Sequence, residues 1–115
     1  MPAANPAFVL GAEVGRPPLV RVLDDQGALI RSFAAYDASM TSGVRTALAD
    51  LNRDGINDVV TVPGAGVRPL IKVWDGVSGS LLSQFWANNR PFRGGVHVAA
   101  GDIGHGEVGI VIGSD

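Results

Sequence analysis

The stretch Pro69-Leu70-Ile71-Lys72-Val73 repeats an earlier stretch of the chain, Pro18-Leu19-Val20-Arg21-Val22, at a spacing of 51 residues. Four further matches continue the repeat beyond a one-residue insertion: Gly27 with Gly79, Phe33 with Phe85, Gly43-Val44 with Gly95-Val96, and Asp50 with Asp102. A repeat of this length indicates one structural unit that is built more than once and that packs against its own copies.

Short apolar runs between glycines and prolines fill each repeat. The 115 residues include 16 glycines and 7 prolines, and 46% of the chain is hydrophobic, which favours short strands and tight turns over long helices. Within one repeat we predict four strands, at about 44–49, 57–62, 70–74 and 80–86. A four-stranded unit of about fifty residues fits a β-propeller blade. The predicted fold class is therefore all-β, with about two four-stranded propeller blades in the chain.

The repeat also divides the chain. We predict an N-terminal extension over residues 1–7 and two tandem repeats over 8–115. The repeats cover about 18–68 and 69–115, and one partial-repeat strand at 8–12 precedes them. The element Phe8-Val9-Leu10 recurs as Val59-Val60-Thr61 and again as Ile110-Val111-Ile112. Because a closed propeller needs about four to eight blades, we expect oligomerisation or missing repeats to complete it.

The most specific feature of the sequence is the stretch Asp50-Leu51-Asn52-Arg53-Asp54-Gly55-Ile56-Asn57-Asp58. Oxygen-bearing side chains occupy positions 1, 3, 5 and 9, and glycine occupies position 6. Calcium takes about six to eight oxygen ligands, and such spacing points several oxygens into a tightly curled loop. The predicted metal ligands are Asp50, Asn52, Asp54, Ile56 through its carbonyl, and Asp58. The alternative is a polar turn, rich in aspartate and asparagine, that binds no ion.

This loop differs from an EF-hand. An EF-hand needs a glutamate at position 12 and helices on both sides, whereas position 12 here is Thr61 and an apolar strand follows Asp58 directly. The loop is thus predicted to join two strands. Its second copy, from Asp102 to Gly109, keeps position 1 but loses the side-chain ligands at positions 3, 5 and 9. We expect no calcium in that copy.

Composition excludes several classes of function. There is no cysteine, so a disulfide framework, a zinc finger or a thiol nucleophile is excluded. A net charge of −2 with scattered arginines does not indicate nucleic-acid binding. No apolar run approaches the ~18 residues that span a bilayer, so membrane insertion is not expected. No group of residues has catalytic spacing, and we expect that the protein is not an enzyme.

The acidic loop and the Val-Val strand after it resemble the FG-GAP repeat, which is the blade of integrin-α-type β-propellers and is also called the VCBS-type repeat. The segments Leu29 to Asp37 and Gly43-Val44-Arg45 look like the form found in large bacterial secreted proteins, and the resemblance extends from Phe8 onward. It implies that the loop joins the innermost strand of a blade to the second, that it binds Ca²⁺, and that the protein acts outside a bacterial cell or at its surface. Residues Met1 to Ala7 do not form a signal peptide, so a secretion signal would lie outside this chain.

The leading functional hypothesis is a calcium-binding propeller module with a structural, adhesion or scaffolding role outside the cell. One alternative is a propeller lectin in which Trp74 and Trp86 stack on sugar rings. Another is a non-catalytic accessory part of a secreted hydrolase. We also expect self-association of three or four chains into a closed ring. A protein or a glycan would be the ligand of such a module.

Overall fold

The computed structural model describes residues 5–67 and 69–86 in full, and the backbone of residues 96–104 and 107–114. These residues form nine strands: β1 (Phe8–Leu10), β2 (Leu19–Leu23), β3 (Leu29–Ala34), β4 (Val44–Ala49), β5 (Asp58–Pro63), β6 (Leu70–Trp74), β7 (Leu81–Trp86), β8 (Val96–Gly104) and β9 (Glu107–Ser114). They contain no helix, and hence none that is long and apolar enough to cross a membrane. The prediction of an all-β fold is confirmed at this level.

The strands form three antiparallel sheets, in the orders β1-β2-β3, β4-β5-β6-β7 and β8-β9. Two of the four predicted strands, 44–49 and 70–74, have the predicted bounds. The other two begin one residue later than predicted, at Asp58 and Leu81, and β5 runs one residue further, to Pro63. The sheets are not closed into a ring.

The first two sheets pair their strands in the same register. Phe8 lies opposite Leu23 in the first sheet, as Val59 lies opposite Trp74 in the second. In both sheets the pairing with the next strand shifts immediately before that same position, Leu23 or Trp74. The repeat in the sequence is therefore also a repeat in strand pairing.

The four-stranded sheet lies between the other two sheets. Strand β1 contacts β4, and β8 contacts β4 and β5. One cluster of buried residues lies between the first two sheets and consists of Val20, Val22, Ala35, Val44 and Val59. A second cluster lies on the four-stranded sheet and consists of Val60, Val62, Ile71 and Val73. Every residue of β5 is buried, because the strand has apolar contacts on both faces.

Candidate metal centre

The acidic loop connects β4 to β5 and is shaped by its own carboxylates. Asp50 accepts hydrogen bonds from the amide of Gly55 at 2.8 Å and from the amide of Asp54 at 3.2 Å. Gly55 has a φ of 85°, in the left-handed region that glycine occupies without steric cost. Asp54 in turn accepts a hydrogen bond from the amide of Ile56 at 2.9 Å. The predicted sharp turn at position 6 is therefore formed and is closed from within by Asp50.

Asp58 is the only fully buried charged residue in the described part of the chain, with 0% exposure. One carboxylate oxygen accepts the amides of Leu51 at 2.9 Å and Asn52 at 3.3 Å, from the start of the loop. The other oxygen accepts the amide of Gly76 at 2.9 Å, from the turn between β6 and β7. One side chain thus joins both ends of the loop to a turn that lies 18 residues further along the chain.

The β6–β7 turn packs directly against the acidic loop. A side chain at Gly76 would collide with the carbonyl of Asn57, so this contact requires glycine. The preceding residue, Asp75, begins the turn and accepts hydrogen bonds from the amide of Val77 at 3.2 Å and the hydroxyl of Ser78 at 2.8 Å. The close approach at Gly76 therefore brings the Asp75 carboxylate beside the loop.

Three carboxylates converge at this point. One oxygen from each of Asp54, Asp58 and Asp75 lies within 4.8 Å of the others, a spacing at which they could hold a metal ion. Two of these residues were predicted as ligands, whereas Asp75 was not. The side chain of Asn52, another predicted ligand, hydrogen-bonds to Asp75. Asp50 is not a member of this group and instead binds the loop amides.

The turn chemistry of Asp75 explains why the sequence pattern did not reveal it. Its repeat equivalent, Asp24, accepts hydrogen bonds from the amides of Gln26 and Ala28, each at 2.9 Å. Both aspartates therefore begin a turn, for which aspartate is a common residue without any metal. Asp75 could be predicted as a ligand only if the turn after β6 were known to pack against the loop before β5. That contact follows from the strand order of the sheet, which the local sequence pattern does not give.

Electrostatics at the centre favour a cation. Hydrogen bonds from the Ser78 hydroxyl, the Val77 amide and the Asn52 side chain hold the pKa of Asp75 below its ordinary value. Asp75 is therefore a carboxylate over the neutral pH range, as a hard cation requires of its ligand. Without a cation, carboxylates at such short separations repel one another.

The centre also lies where the first two sheets meet. The Arg31 guanidinium of β3 donates to the carbonyl of Val77 at 2.8 Å and to that of Gly76 at 3.3 Å. At the other side of the loop, the Asn57 side chain donates to the carbonyl of Pro6 at 2.9 Å. The loop and the β6–β7 turn are thus fastened to the segments that flank β1 and β3.

The two tryptophans differ in their surroundings. Trp74 packs on Phe33 with the ring centroids 4.7 Å apart and donates from Nε1 to the Thr61 hydroxyl at 3.1 Å. It therefore contributes to the contact between the first two sheets and is not open for stacking on a sugar. Trp86, on the edge strand β7, is 47% exposed.

The second copy of the loop has a different backbone. Strands β8 and β9 stay paired as far as Gly104 opposite Glu107, whereas β4 and β5 stop pairing at Ala49 opposite Asp58. The side chains of Asp102 to Gly109 lie outside the described residues. The absence of calcium in that copy stays a prediction.

No family model matches the sequence, and no curated protein or solved structure matches the chain. The resemblance to FG-GAP repeats rests on the residues of the sequence alone.

Proposed function

We propose that this chain is a calcium-binding repeat module of a β-propeller, with a structural, adhesion or scaffolding role outside the cell. The observation that supports it best is the convergence of the Asp54, Asp58 and Asp75 carboxylates within 4.8 Å, beside a loop rich in further oxygens. The propeller arrangement is supported by the four-stranded antiparallel sheet and by the shared register of the first two sheets. The extracellular setting rests on the resemblance to FG-GAP repeats.

The hydrogen bonds already made at the centre leave room for a cation. A carboxylate has about four lone-pair sites, and Asp58 uses three of them for main-chain amides. Asp54 accepts one amide, from Ile56. In the proposed site the ion takes the remaining carboxylate positions, and Asn52 and the Ile56 carbonyl supply neutral oxygens. Asp50 either binds the ion directly or keeps the loop curled around it.

Titration calorimetry on the calcium-free protein tests the proposal. We expect one calcium ion per chain, because only one of the two loop copies keeps the oxygen ligands. The variant Asp75→Asn keeps the turn, because asparagine begins turns as well as aspartate does, but it removes one charged ligand. We expect its Kd for calcium to rise at least about tenfold, which corresponds to about 1.4 kcal/mol.

Asp24→Asn is the matched control, because Asp24 holds the equivalent turn of the first sheet and lies outside the carboxylate group. Its calcium affinity should equal that of the unaltered protein. Binding that is absent from the unaltered protein, or equal losses in the two variants, would contradict the calcium proposal.

The lectin hypothesis keeps one supporting observation, the exposed indole of Trp86. A glycan array on the unaltered protein and on Trp86→Ala would test it. A sugar that binds the first and not the second would favour the lectin, whereas no bound glycan would favour a structural module.

A further inference from the structure

The face of the first sheet that points away from the four-stranded sheet is largely apolar. Residues directly opposite each other on paired strands share a face, so the registers group eight side chains on this outer face: Phe8, Leu10, Leu19, Arg21, Leu23, Leu29, Ser32 and Ala34. Phe8, Leu10 and Leu29 are 54%, 53% and 58% exposed. A groove of about 660 Å³ adjoins one end of this face, between Leu10 and Arg21 and the connection from β1 to β2. Apolar patches of this kind mark sites where another surface packs.

The repeat supplies a covered copy of the same face. Leu19, Arg21 and Leu23 are equivalent to Leu70, Lys72 and Trp74, which occupy the same register in the four-stranded sheet. In that sheet the three residues are half-buried against the first sheet. Leu19 and Arg21 are therefore exposed in the first sheet, whereas their equivalents Leu70 and Lys72 are half-buried.

The covered copy shows which contacts this row makes. Lys72 donates to the carbonyl of Ala35 at 2.8 Å, and its ammonium lies 4.7 Å from the centre of the Tyr36 ring. The Tyr36 hydroxyl donates to the carbonyl of Leu70 at 2.7 Å. Trp74 packs on Phe33. The row thus packs on the end of β3 and on the apolar face around Phe33.

The complementary surface also has a second copy, which is open at Phe85. Val20, Val22 and Phe33, on the covering face of the first sheet, are equivalent to Ile71, Val73 and Phe85 of the four-stranded sheet. Phe85 is 38% exposed, whereas Ile71 and Val73 are already buried within the chain. One molecule therefore presents one half of this contact on the first sheet and, at Phe85 of β7, an open part of the other half.

We propose that the outer face of the first sheet is a self-association surface, and that its occupant is the Phe85 side of β7 in a second copy of this chain. Leu23 takes the place that Trp74 has in the internal contact, and Phe85 takes that of Phe33. The contact joins two different surfaces, so it is head-to-tail and can close into a ring. It rests on the proposed propeller module and names the surface through which three or four chains would assemble.

Docking of a second copy would also affect the pairing of β8 and β9. β9 is equivalent to β5 and β1 in the repeat, since its residues hold the same register against β8 as those of β5 hold against β4. When the first sheet of a second copy docks beside β8, the β1 strand of the second copy and the β9 strand of the first copy compete to pair with the same edge of β8. Only one of them pairs with β8 at each junction.

Light scattering coupled to size exclusion tests the surface with one variant for each half. Leu19→Glu places a charge in the outer face, and Phe85→Glu places one in the complementary half. We expect the unaltered protein to have three or four times the mass of the 11.9 kDa chain and each variant to be monomeric. A mixture of the two variants should form a one-to-one heterodimer, because each keeps the half that the other has lost.

Val14→Glu is the control, because Val14 is 79% exposed and lies outside the outer face; this variant should keep the mass of the unaltered protein. Circular dichroism checks that each variant is folded. Leu29→Glu replaces Leu19→Glu if the latter is not folded, and Ser83→Glu, on the same face as Phe85, likewise replaces Phe85→Glu. A folded monomer of the unaltered protein at micromolar concentration would overturn the proposal. So would an unchanged mass for Leu19→Glu, a loss of assembly in Val14→Glu, or two monomeric variants that do not combine.

The same variants test calcium binding independently of self-association. Leu19→Glu should still bind one calcium ion per chain, because the substitution lies outside the acidic loop. Assembly without calcium binding would contradict only the metal centre, and calcium binding without assembly would contradict only the surface.

Discussion

Replacing Asp58 with alanine should destabilise the fold even when no calcium is present. The side chain is completely buried and accepts three main-chain hydrogen bonds, two of them at 2.9 Å and one at 3.3 Å. Alanine offers no acceptor, so the amides of Leu51, Asn52 and Gly76 would lose their partner. The amide of Gly76 lies in a buried environment and has no access to solvent as a replacement.

The magnitude follows from the geometry. A hydrogen bond to a charged group contributes about 1.5–3 kcal/mol. Counting only the two bonds of 2.9 Å gives a loss of about 3–6 kcal/mol in the free energy of unfolding. Relief of the buried charge offsets part of the loss, which favours the lower end of the range. Against a typical total of about 5–15 kcal/mol, even the lower end is a large fraction.

The variant Asp58→Asn tests the two carboxylate oxygens separately. Asparagine keeps one acceptor oxygen and replaces the other by an NH₂ donor. Whichever way the amide is oriented, a donor then faces either the amide of Gly76 or the amides of the loop. We expect about 1.5–3 kcal/mol of destabilisation, less than for alanine.

Urea unfolding in the presence of a chelator measures these differences, with circular dichroism as the signal. Asp25→Ala is the control, because Asp25 is an exposed residue in a turn, and its effect should stay within about 0.5 kcal/mol. A loss below about 1 kcal/mol for Asp58→Ala would refute the view that this carboxylate holds the loop.

Two further predictions rest on other contacts. Gly76→Ala should destabilise the fold and weaken calcium binding together, because the added methyl group collides with the carbonyl of Asn57 and displaces the turn; urea unfolding and calorimetry on one sample check both, and an unchanged variant would contradict the close packing. Burial raises the pKa of Tyr36 above its ordinary value, so the folded state keeps a proton that the unfolded state releases near pH 10. Stability should therefore be retained below about pH 10 and should fall above it by up to about 1.4 kcal/mol per pH unit, and Tyr36→Phe should remove that contribution. Since Tyr36 is the only tyrosine of the chain, the ultraviolet absorbance of its phenolate reports it alone, and ionisation of the folded protein near pH 10 would refute the prediction.

Much of the fold follows from local signals in the sequence. Glycine and proline positions bound the strands, and the repeat defines them twice, so β4 and β6 could be predicted to the residue. The strand predicted from 57 begins at Asp58, because the side chain of Asn57 bonds to Pro6 and its amide bonds to Asn5 instead of entering the ladder. That partner lies about fifty residues away in sequence, and no local pattern reveals it.

The convergence of the three carboxylates could be predicted only in part for the same reason. The spacing within the loop identifies Asp54 and Asp58, because a linear motif carries their relation. Asp75 enters the group through the antiparallel pairing of β5 with β6 and through the contact at Gly76. Asp50 was predicted as a ligand on its spacing, and the structure adds that it accepts the amides at the turn of the loop.

The two copies of the loop provide an internal comparison that bears on function. Where the repeat has Gly109 in place of Asp58, the backbone of β8 and β9 pairs beyond that position, at Asp102 opposite Val108 and at Gly104 opposite Glu107. In β4 and β5 the pairing stops, because the Asp58 carboxylate accepts the amides of Leu51 and Asn52. The loop between β4 and β5 therefore lacks the cross-strand hydrogen bonds that β8 and β9 make at the equivalent position, and it contains the buried Asp58 carboxylate instead. The converging carboxylates repel one another in the absence of a cation, and a bound ion would offset that repulsion.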